Sequence, residues 1–542
     1  MRYKMYSMEI SRANTRALNA PRREMKPMKP ALRRLTAILL ICLLTLSACT
    51  GGAQVATEDA RVALPEPEPF EERQILGDAR AAYSLDVTLC YAAGSGLDLT
   101  SVTRTIEVEI EQTAAEATLQ ELLKTLSGTG ALRSVFSSDP LIDLELSCGI
   151  ATVNLTLDAG ARQSDQDVLL LCVSIANTLL ELDGIDAVNI LTGGRSEAVC
   201  ALPLGTFVEP VSDVSALYAQ LQAEESRFLS EQTSGISRSV ALYFPSSDGS
   251  YLLPEVRTLS FSSDDYASAA LDALKAGPQQ RACCFSAIPG NQELLSGTPQ
   301  SWISEAGERV IDVYFSEMLP NYLAFAGVET WQFYGSIVLT LCSFLPELDA
   351  VRICIEGEPV TECALGSGML HFEKGLMRRS DFSARIGSSA ELYFPVDGGG
   401  LKRVECAMSR AASRSPRQLL CELIRLGTTG ALAGAFPEDI ASEDILGVEV
   451  TSNIAVVNLS GSFYSHCQTL DPRGERSLIY AMINSLTDLE DIHAVRFLVE
   501  GKSIDSLVGS IYLRTALLPD PGLVISESES AGTNTGETTL VN

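Results

Sequence analysis

The residues of this 542-residue chain whose types could carry chemistry are fourteen cysteines, three histidines and one recurring Asn/Asp position. The adjacent pair Cys283-Cys284 is the arrangement best suited to redox or bridging chemistry. The other cysteines are irregularly spaced, with no CxxC and no Cys/His spacing of the kind that holds zinc. His371, His466 and His493 fall at unrelated places in the repeats derived below, which argues against a shared general base. No GxSxG elbow, P-loop or HExxH occurs. Asn154, Asp312 and Asn458 differ in that each offers a side-chain oxygen between apolar neighbours in a stretch that reads as a strand. As ligand contacts they would line a site. As local acceptors they would bond the adjacent turn or helix start, which Asn and Asp commonly do, and that reading is preferred. No catalytic group, metal or cofactor is expected.

The elements that position these residues are written three times. The closing stretches "LDGIDAVNILTGGR", "LPELDAVRICIEGE" and "LEDIHAVRFLVEGK" start at Leu182, Leu345 and Leu489, and the copies open at Val87, Val240 and Ala390. Each copy begins with two extended runs around a turn, Asp248-Gly249 and Asp397-Gly398 in the second and third. A helical pattern follows, with Pro416 in the first turn of the third copy and Gly277-Pro278 as the stop in the second. Two more strands, a long apolar helix and the closing strand complete a ββαββαβ unit. The fold class is therefore α+β: three tandem domains, each a mixed sheet with two helices on one face.

In the closing strand, Val188, Ile190 and Thr192 share one face, as do Val351, Ile353 and Ile355, and Val495, Phe497 and Val499. That face reads as the one the helices cover. The other carries Asn189, Arg352 and Arg496 beside Leu191, Cys354 and Leu498, and is left for a neighbouring repeat or partner, a candidate interaction face. Cys354 stands where Leu191 and Leu498 stand and Cys342 where Leu179 and Leu486 stand, so both read as small core hydrophobes.

Outside the repeats, Lys29, Arg33 and Arg34 precede a 12-residue apolar run, Leu35 to Leu46, and then Ser47, Ala48 and Cys49. This is an export signal, too short to serve as a membrane span. Leu46-Ser47-Ala48-Cys49 resembles the lipobox of bacterial lipoproteins, which implies lipidation of Cys49 and a protein anchored to the membrane outside the cytoplasm. Residues 1 to 48 hold 10 of the 40 Lys plus Arg and 2 of the 69 acidic residues, which leaves 30 basic against 67 acidic and a net charge of −37. That disfavours nucleic acid and anionic headgroups as partners.

The division read from the chain is 1–48 signal with lipobox, 49–84 acidic Pro-containing linker, 85–200 repeat 1, 201–238 linker with a helix at Val214 to Leu229, 239–365 repeat 2, 366–388 linker, 389–518 repeat 3 and 519–542 disordered tail.

The units resemble the GerMN domain of spore-germination GerM-type lipoproteins. The resemblance rests on Leu242-Tyr243-Phe244-Pro245, Leu392-Tyr393-Phe394-Pro395, Ala276-Gly277-Pro278, Ala287-Ile288-Pro289-Gly290, the Asn/Asp position and the closing Ala-Val strand with its Gly. It implies a noncatalytic envelope scaffold of spore-forming bacteria, with envelope or sporulation-complex proteins as partners. A binding module for cell-wall glycan or a lipid-linked ligand, or an accessory subunit of an envelope enzyme, is the alternative. The anchor is directly testable: Cys49→Ala should move the protein from the membrane to the soluble fraction, and unchanged membrane retention refutes it.

Overall fold

The computed structural model describes residues 73–525 apart from 93–95, 111, 129–141, 157–163, 230–234, 262–264, 290–293 and 431. The export signal, Cys49 and most of the acidic spacer lie outside the described residues, as do residues 526–542 of the tail.

A short strand, β1 (Gly77–Arg80), precedes the first repeat. Repeat 1 then runs β2 (Tyr83–Ala92), β3 (Leu99–Val108), α1 (Ala114–Gly128), β4 (Ile142–Ser147), β5 (Ile150–Leu155), α2 (Asp165–Leu179) and β6 (Ala187–Thr192), and is followed by helix α3 (Val214–Leu229). Repeat 2 runs β7 (Ile236–Pro245), β8 (Leu252–Phe261), α4 (Tyr266–Lys275), β9 (Gln300–Ile303), β10 (Arg309–Phe315), α5 (Leu319–Ala326), α6 (Thr330–Phe344) and β11 (Ala350–Ile355). After β12 (Leu376–Met377) and α7 (Arg379–Phe382), repeat 3 runs β13 (Gly387–Val396), β14 (Gly400–Ser409), α8 (Pro416–Thr428), β15 (Ile445–Thr451), β16 (Ile454–Leu459), α9 (Gly461–Cys467), α10 (Pro472–Thr487) and β17 (Ala494–Val499). The class is α+β and the ββαββαβ order recurs, with the short helices α5 and α9 added.

Local chemistry explains the boundaries. Ser164 caps α2 by accepting from the Asp167 N–H, and the Asp167 carboxylate returns the bond to Ser164. Ser415 and Asp471 cap α8 and α10, each followed by a proline at the first helical position. Cys148-Gly149 (φ 52° and 76°) and Ser452-Asn453 (φ 51° and 62°) take the paired left-handed geometry of a two-residue hairpin turn.

Within each repeat there are two ladders in place of one continuous sheet. The opening strands pair with each other over ten positions as a long hairpin. The later strands form a mixed sheet, in which β5, β10 and β16 run antiparallel to the strand before them and parallel to the closing strand. The second helix lies between these layers: every residue of α6 from Trp331 to Phe344 is buried, as is α2 from Leu169 to Leu179. A helix apolar all round needs cover on two sides, and the hairpin supplies the second. In repeat 1 the shared core joins Val87 and Leu89 of the hairpin, Leu171 and Ile175 of α2, and Val153 and Val188 of the sheet.

One hydrogen bond stitches hairpin to helix in all three copies. The backbone N–H of Cys90 donates to Thr178 Oγ1 at 2.9 Å, that of Tyr243 to Thr340 Oγ1 at 3.1 Å, and that of Tyr393 to Ser485 Oγ at 3.0 Å. The three donors hold the same hairpin position, so the bond aligns the helices as well. It makes Leu341, not Cys342, the counterpart of Leu179 and Leu486. Repeat 2 carries one extra residue between this helix and its closing strand, where Glu347 takes a left-handed φ of 56°. Cys342 is nonetheless buried in the core.

The connectors are packed against the repeats. Phe372, Met377 and Phe382, inside the segment read as the 366–388 linker, join the core of repeat 2, and β12 pairs with β11. Their apolar spacing is too sparse to signal an element, yet each finds a buried slot. In the 201–238 segment, Val214 and Leu221 of α3 pack with Leu169, Leu170 and Val173 of α2. Residues 520–525, inside the segment read as the tail, are bonded to repeat 3: Ile525 donates its N–H to Leu401 O at 2.9 Å, and the Asp520 N–H donates to Asn484 Oδ1 at 3.0 Å.

Thr340→Val should therefore lower stability by ~1–3 kcal/mol in urea unfolding, because the buried Tyr243 N–H loses its acceptor at constant side-chain shape. Thr340→Ser should recover most of the loss.

Candidate interaction surface

The outer faces of the three mixed sheets meet three different fates. On repeat 1, Glu145, Thr152 and Asn189 lie in one row across β4, β5 and β6, and all three are buried. Arg379 of α7 donates to Glu145 Oε1 at 2.8 Å and to Ser343 Oγ of α6 at 2.8 Å, and Arg410 of repeat 3 stands 3.6 Å from Glu145 Oε2. Asn189 is 1% exposed and neither its Oδ1 nor its Nδ2 has a hydrogen-bond partner. It is thus a buried residue instead of a free contact.

On repeat 3 the covering element is the N-terminal segment. The carbonyl of Ile75 accepts from Asn458 Nδ2 at 3.0 Å, Gln74 Nε2 donates to Glu500 O at 2.8 Å, and Arg73 pairs with Glu449. The segment then turns along the sheet edge as β1, parallel to Gly447–Val450 of β15. Its passage requires glycine beneath it: a Cβ at Gly447 would stand 2.6 Å from Ile75 O, and one at Gly501 2.7 Å from Arg73 O. Arg496, on this face, is half-buried and donates to Ser503 Oγ at 2.8 Å.

On repeat 2 the face is covered by the repeat's own side chains, with Trp302 and Leu376 packed on Val310 and Ala350. Arg352 grips Asp312 with two bonds of 2.9 and 2.5 Å and lies 4.7 Å from the centre of the Trp302 ring, whose Nε1–H also donates to Asp312 at 2.8 Å. The Asp312 carboxylate is fully occupied within the repeat.

The Asn/Asp position divides in two. Asn154 pairs across the sheet with Leu191 and Asn458 with Leu498, but Asp312 pairs with Arg352, and Tyr314 is the residue opposite Cys354. Asp312 stands two residues ahead of the asparagines; a two-residue slip preserves the face and so escapes an alignment made on apolar pattern. Asn154 Oδ1 accepts the Gly194 N–H and Asn458 Oδ1 the Gly501 N–H, both at 2.8 Å, closing the turn after the last strand.

A second junction lies where all three repeats meet. Arg281 of repeat 2 donates to Cys148 O of repeat 1 at 2.9 Å and to Glu405 of repeat 3 at 3.0 Å, while Ser147 Oγ donates to Gly387 O at 2.5 Å. Beside it opens a cleft of about 570 Å³ with Asp183 and Asp186 on repeat 1 and Asp488, Glu490 and Asp491 on repeat 3. Glu145, Arg379, Arg281 and Glu405 have no motif to announce them; a charged residue inside an apolar strand, as in "LIDLELS", was the available signal for Glu145. Cys283 is buried as a free thiol, and its hydrogen bond with Cys284, then burial, push its pKa up, which suppresses the thiolate that redox exchange requires. Two other buried carboxylates are tied down by backbone: Glu255 accepts from Gln279 and Gln280 N–H, and Glu475 from Leu507, Val508 and Ser510 N–H. Among the described residues no group of His, Cys, Asp and Glu is arranged to hold a metal ion.

The family model described as sporulation and spore germination, Germane, matches residues 88–198, 241–361 and 391–505, more than half of the chain and once per repeat. The chain belongs to the Germane family. Among solved structures, the tandem GerMN domains of the sporulation protein GerM from Bacillus subtilis match at 16% identity, over 53% of this chain and 98% of that one, with a TM-score of 0.23. The first GerMN domain of the same protein matches at 22% identity over 26% of this chain and 98% of its own, TM-score 0.19. A putative lipoprotein from Clostridium perfringens matches at 20% identity over 24% and 87%, TM-score 0.17. No curated protein sequence matches.

In this Germane chain the acidic cleft carries a titration near neutrality. Burial, then Asp183, Asp491 and Asp186, push Glu490 from 4.5 up to about 7. Gly184 packs against this carboxylate so closely that a Cβ there would overlap Glu490 Oε1. The folded chain holds the proton more tightly than the unfolded one, so this group's stabilisation is complete below about pH 4.5 and is lost as pH rises through about 7. Glu490→Gln should raise the melting temperature at about pH 8 and leave it nearly unchanged at about pH 4, the sign set by that linkage.

Proposed function

We propose that this Germane protein is a lipid-anchored, noncatalytic scaffold on the outer side of the cell membrane, binding other envelope proteins during sporulation or spore germination. The observation that carries the reading is how the polar residues are spent. Asn154 and Asn458 close turns, Asp312 holds Arg352 and Trp302, and Glu145, Arg379, Arg281 and Glu405 hold repeat to repeat. Side chains fully engaged in holding a shape are those of a rigid support. Among the described residues no helix is long and apolar enough to cross a membrane, which is compatible with attachment through the proposed Cys49 lipid.

Affinity capture of the full chain from sporulating cells tests the reading. Specific envelope proteins should co-purify; recovery of cell-wall fragments or lipid-linked sugars without protein partners would replace the scaffold with a glycan- or lipid-binding module.

A further inference from the structure

The Cys283-Cys284 pair sits in the turn that ties repeat 2 to both of its neighbours. The turn runs from Arg281 to Cys284 and is closed by the Cys284 N–H, which donates to Arg281 O at 3.3 Å. Its first two residues serve the other repeats: Arg281 holds Cys148 O and Glu405, and the Ala282 N–H donates to Glu405 Oε2 at 3.0 Å. Its last two bring their thiols together, Cys283 hydrogen-bonded to Cys284 and both free of any disulfide.

The peptide unit between the two cysteines is bonded on both sides. Its C=O, from Cys283, accepts the Ser247 N–H at 2.7 Å, and its N–H, from Cys284, makes the turn bond to Arg281 O. A disulfide between the two side chains would have to turn this unit. Neighbouring Cα atoms lie about 3.8 Å apart across a trans peptide, closer than the roughly 4.4–6.8 Å that an unstrained bridge spans. Strained bridges are the readily reduced ones. A bridge between neighbours also encloses no length of chain, so it lacks most of the entropic stabilisation of an ordinary disulfide. What remains is the distortion, which falls on the turn bond and then on the Arg281 and Ala282 contacts beside it.

The two thiols differ in reach. Cys283 is buried and held protonated by its bond to Cys284 and by burial, so the first attack falls to Cys284, which is half-buried.

We propose that Cys283 and Cys284 are a reversible redox site, oxidised by an external disulfide RSSR to a vicinal disulfide that loosens repeat 2 from repeats 1 and 3. Cys284 attacks RSSR, forming a mixed disulfide of Cys284 with R and releasing one RSH. Cys283 then attacks the Cys284 sulfur, which forms the bond between the two cysteines and releases the second RSH. The pair gives up two electrons and two protons, and RSSR takes up both. A dithiol reductant runs the sequence backwards. The proposal is independent of whether the protein is a scaffold.

Treating the full chain in a mild non-ionic detergent with oxidised glutathione, then alkylating it and mapping its tryptic peptides by mass, tests this. Alkylation of both thiols should fall at least about tenfold and return after dithiothreitol, with the oxidised peptide that begins at Ala282 lighter by two hydrogens. The oxidised chain should melt about 2 °C or more below the reduced one, and Cys284→Ser should remove that difference. Cys283→Ser should stop at a glutathione mixed disulfide on Cys284, since the second thiol is gone. Thiols that stay open to alkylation, bridges to Cys148 or Cys406 instead, a mixed disulfide that persists in the unaltered chain, or an oxidised form that melts no lower than the reduced one each overturns the inference.

Discussion

A buried backbone N–H must find an acceptor, and in this fold the hairpin of each repeat has one that no strand can serve. Its inner strand looks onto a helix, which has no free carbonyls to offer along its length. A hydroxyl at one helical position solves the problem three times, at Thr178, Thr340 and Ser485. Much else follows from it. The bond sets the rotation and height of the central helix, which then presents Leu341 or its equivalents to one layer and the remaining apolar residues to the other. With the helix placed, the closing strand pairs in register beside the strand before it.

Charged side chains join the repeats at two places. Glu145 sits between Arg379 and Arg410, and Arg281 between Glu405 and a carbonyl of repeat 1. Removing such groups from water is costly, and each is tolerable only because its partner is in place. Contacts of this kind contribute less to stability than to uniqueness of arrangement: a repeat docked in another pose would leave a charge unpaired. Asn189, buried with no partner for its amide, and Arg281, whose Nε has none, are points where the match is incomplete.

How much of this was legible from residues alone depended on period and copy number. Threefold repetition exposed the ββαββαβ order, because a pattern ambiguous in one copy is resolved by the others. The buried face of the closing strand was legible from alternation at Val188, Ile190 and their counterparts. Separation of hairpin from sheet was not, since a strand pairing with one neighbour and a strand pairing with two have the same alternation. Asp312 was misplaced for a related reason, two residues being one full strand period. The covering of the outer faces was hidden more deeply. Glu145 is met by Arg379 and Asn458 by Ile75, far along the chain, and no local pattern carries that information.

The strap formed by residues 73–80 also orders events in time. Arg73 and Glu449, which it brings together, are 376 residues apart. During synthesis or passage across a membrane from the N-terminus, β1 emerges before any repeat, and the sheet it completes is among the last to form. Until then β15 has an unpaired edge and β1 has no partner, so closure of the third sheet reports that the whole chain has arrived. Pairings of such long range form slowly and reward only a complete molecule. A chain cut between repeat 2 and β15 would keep two complete repeats and lack the clasp, which makes this strand a built-in check on length.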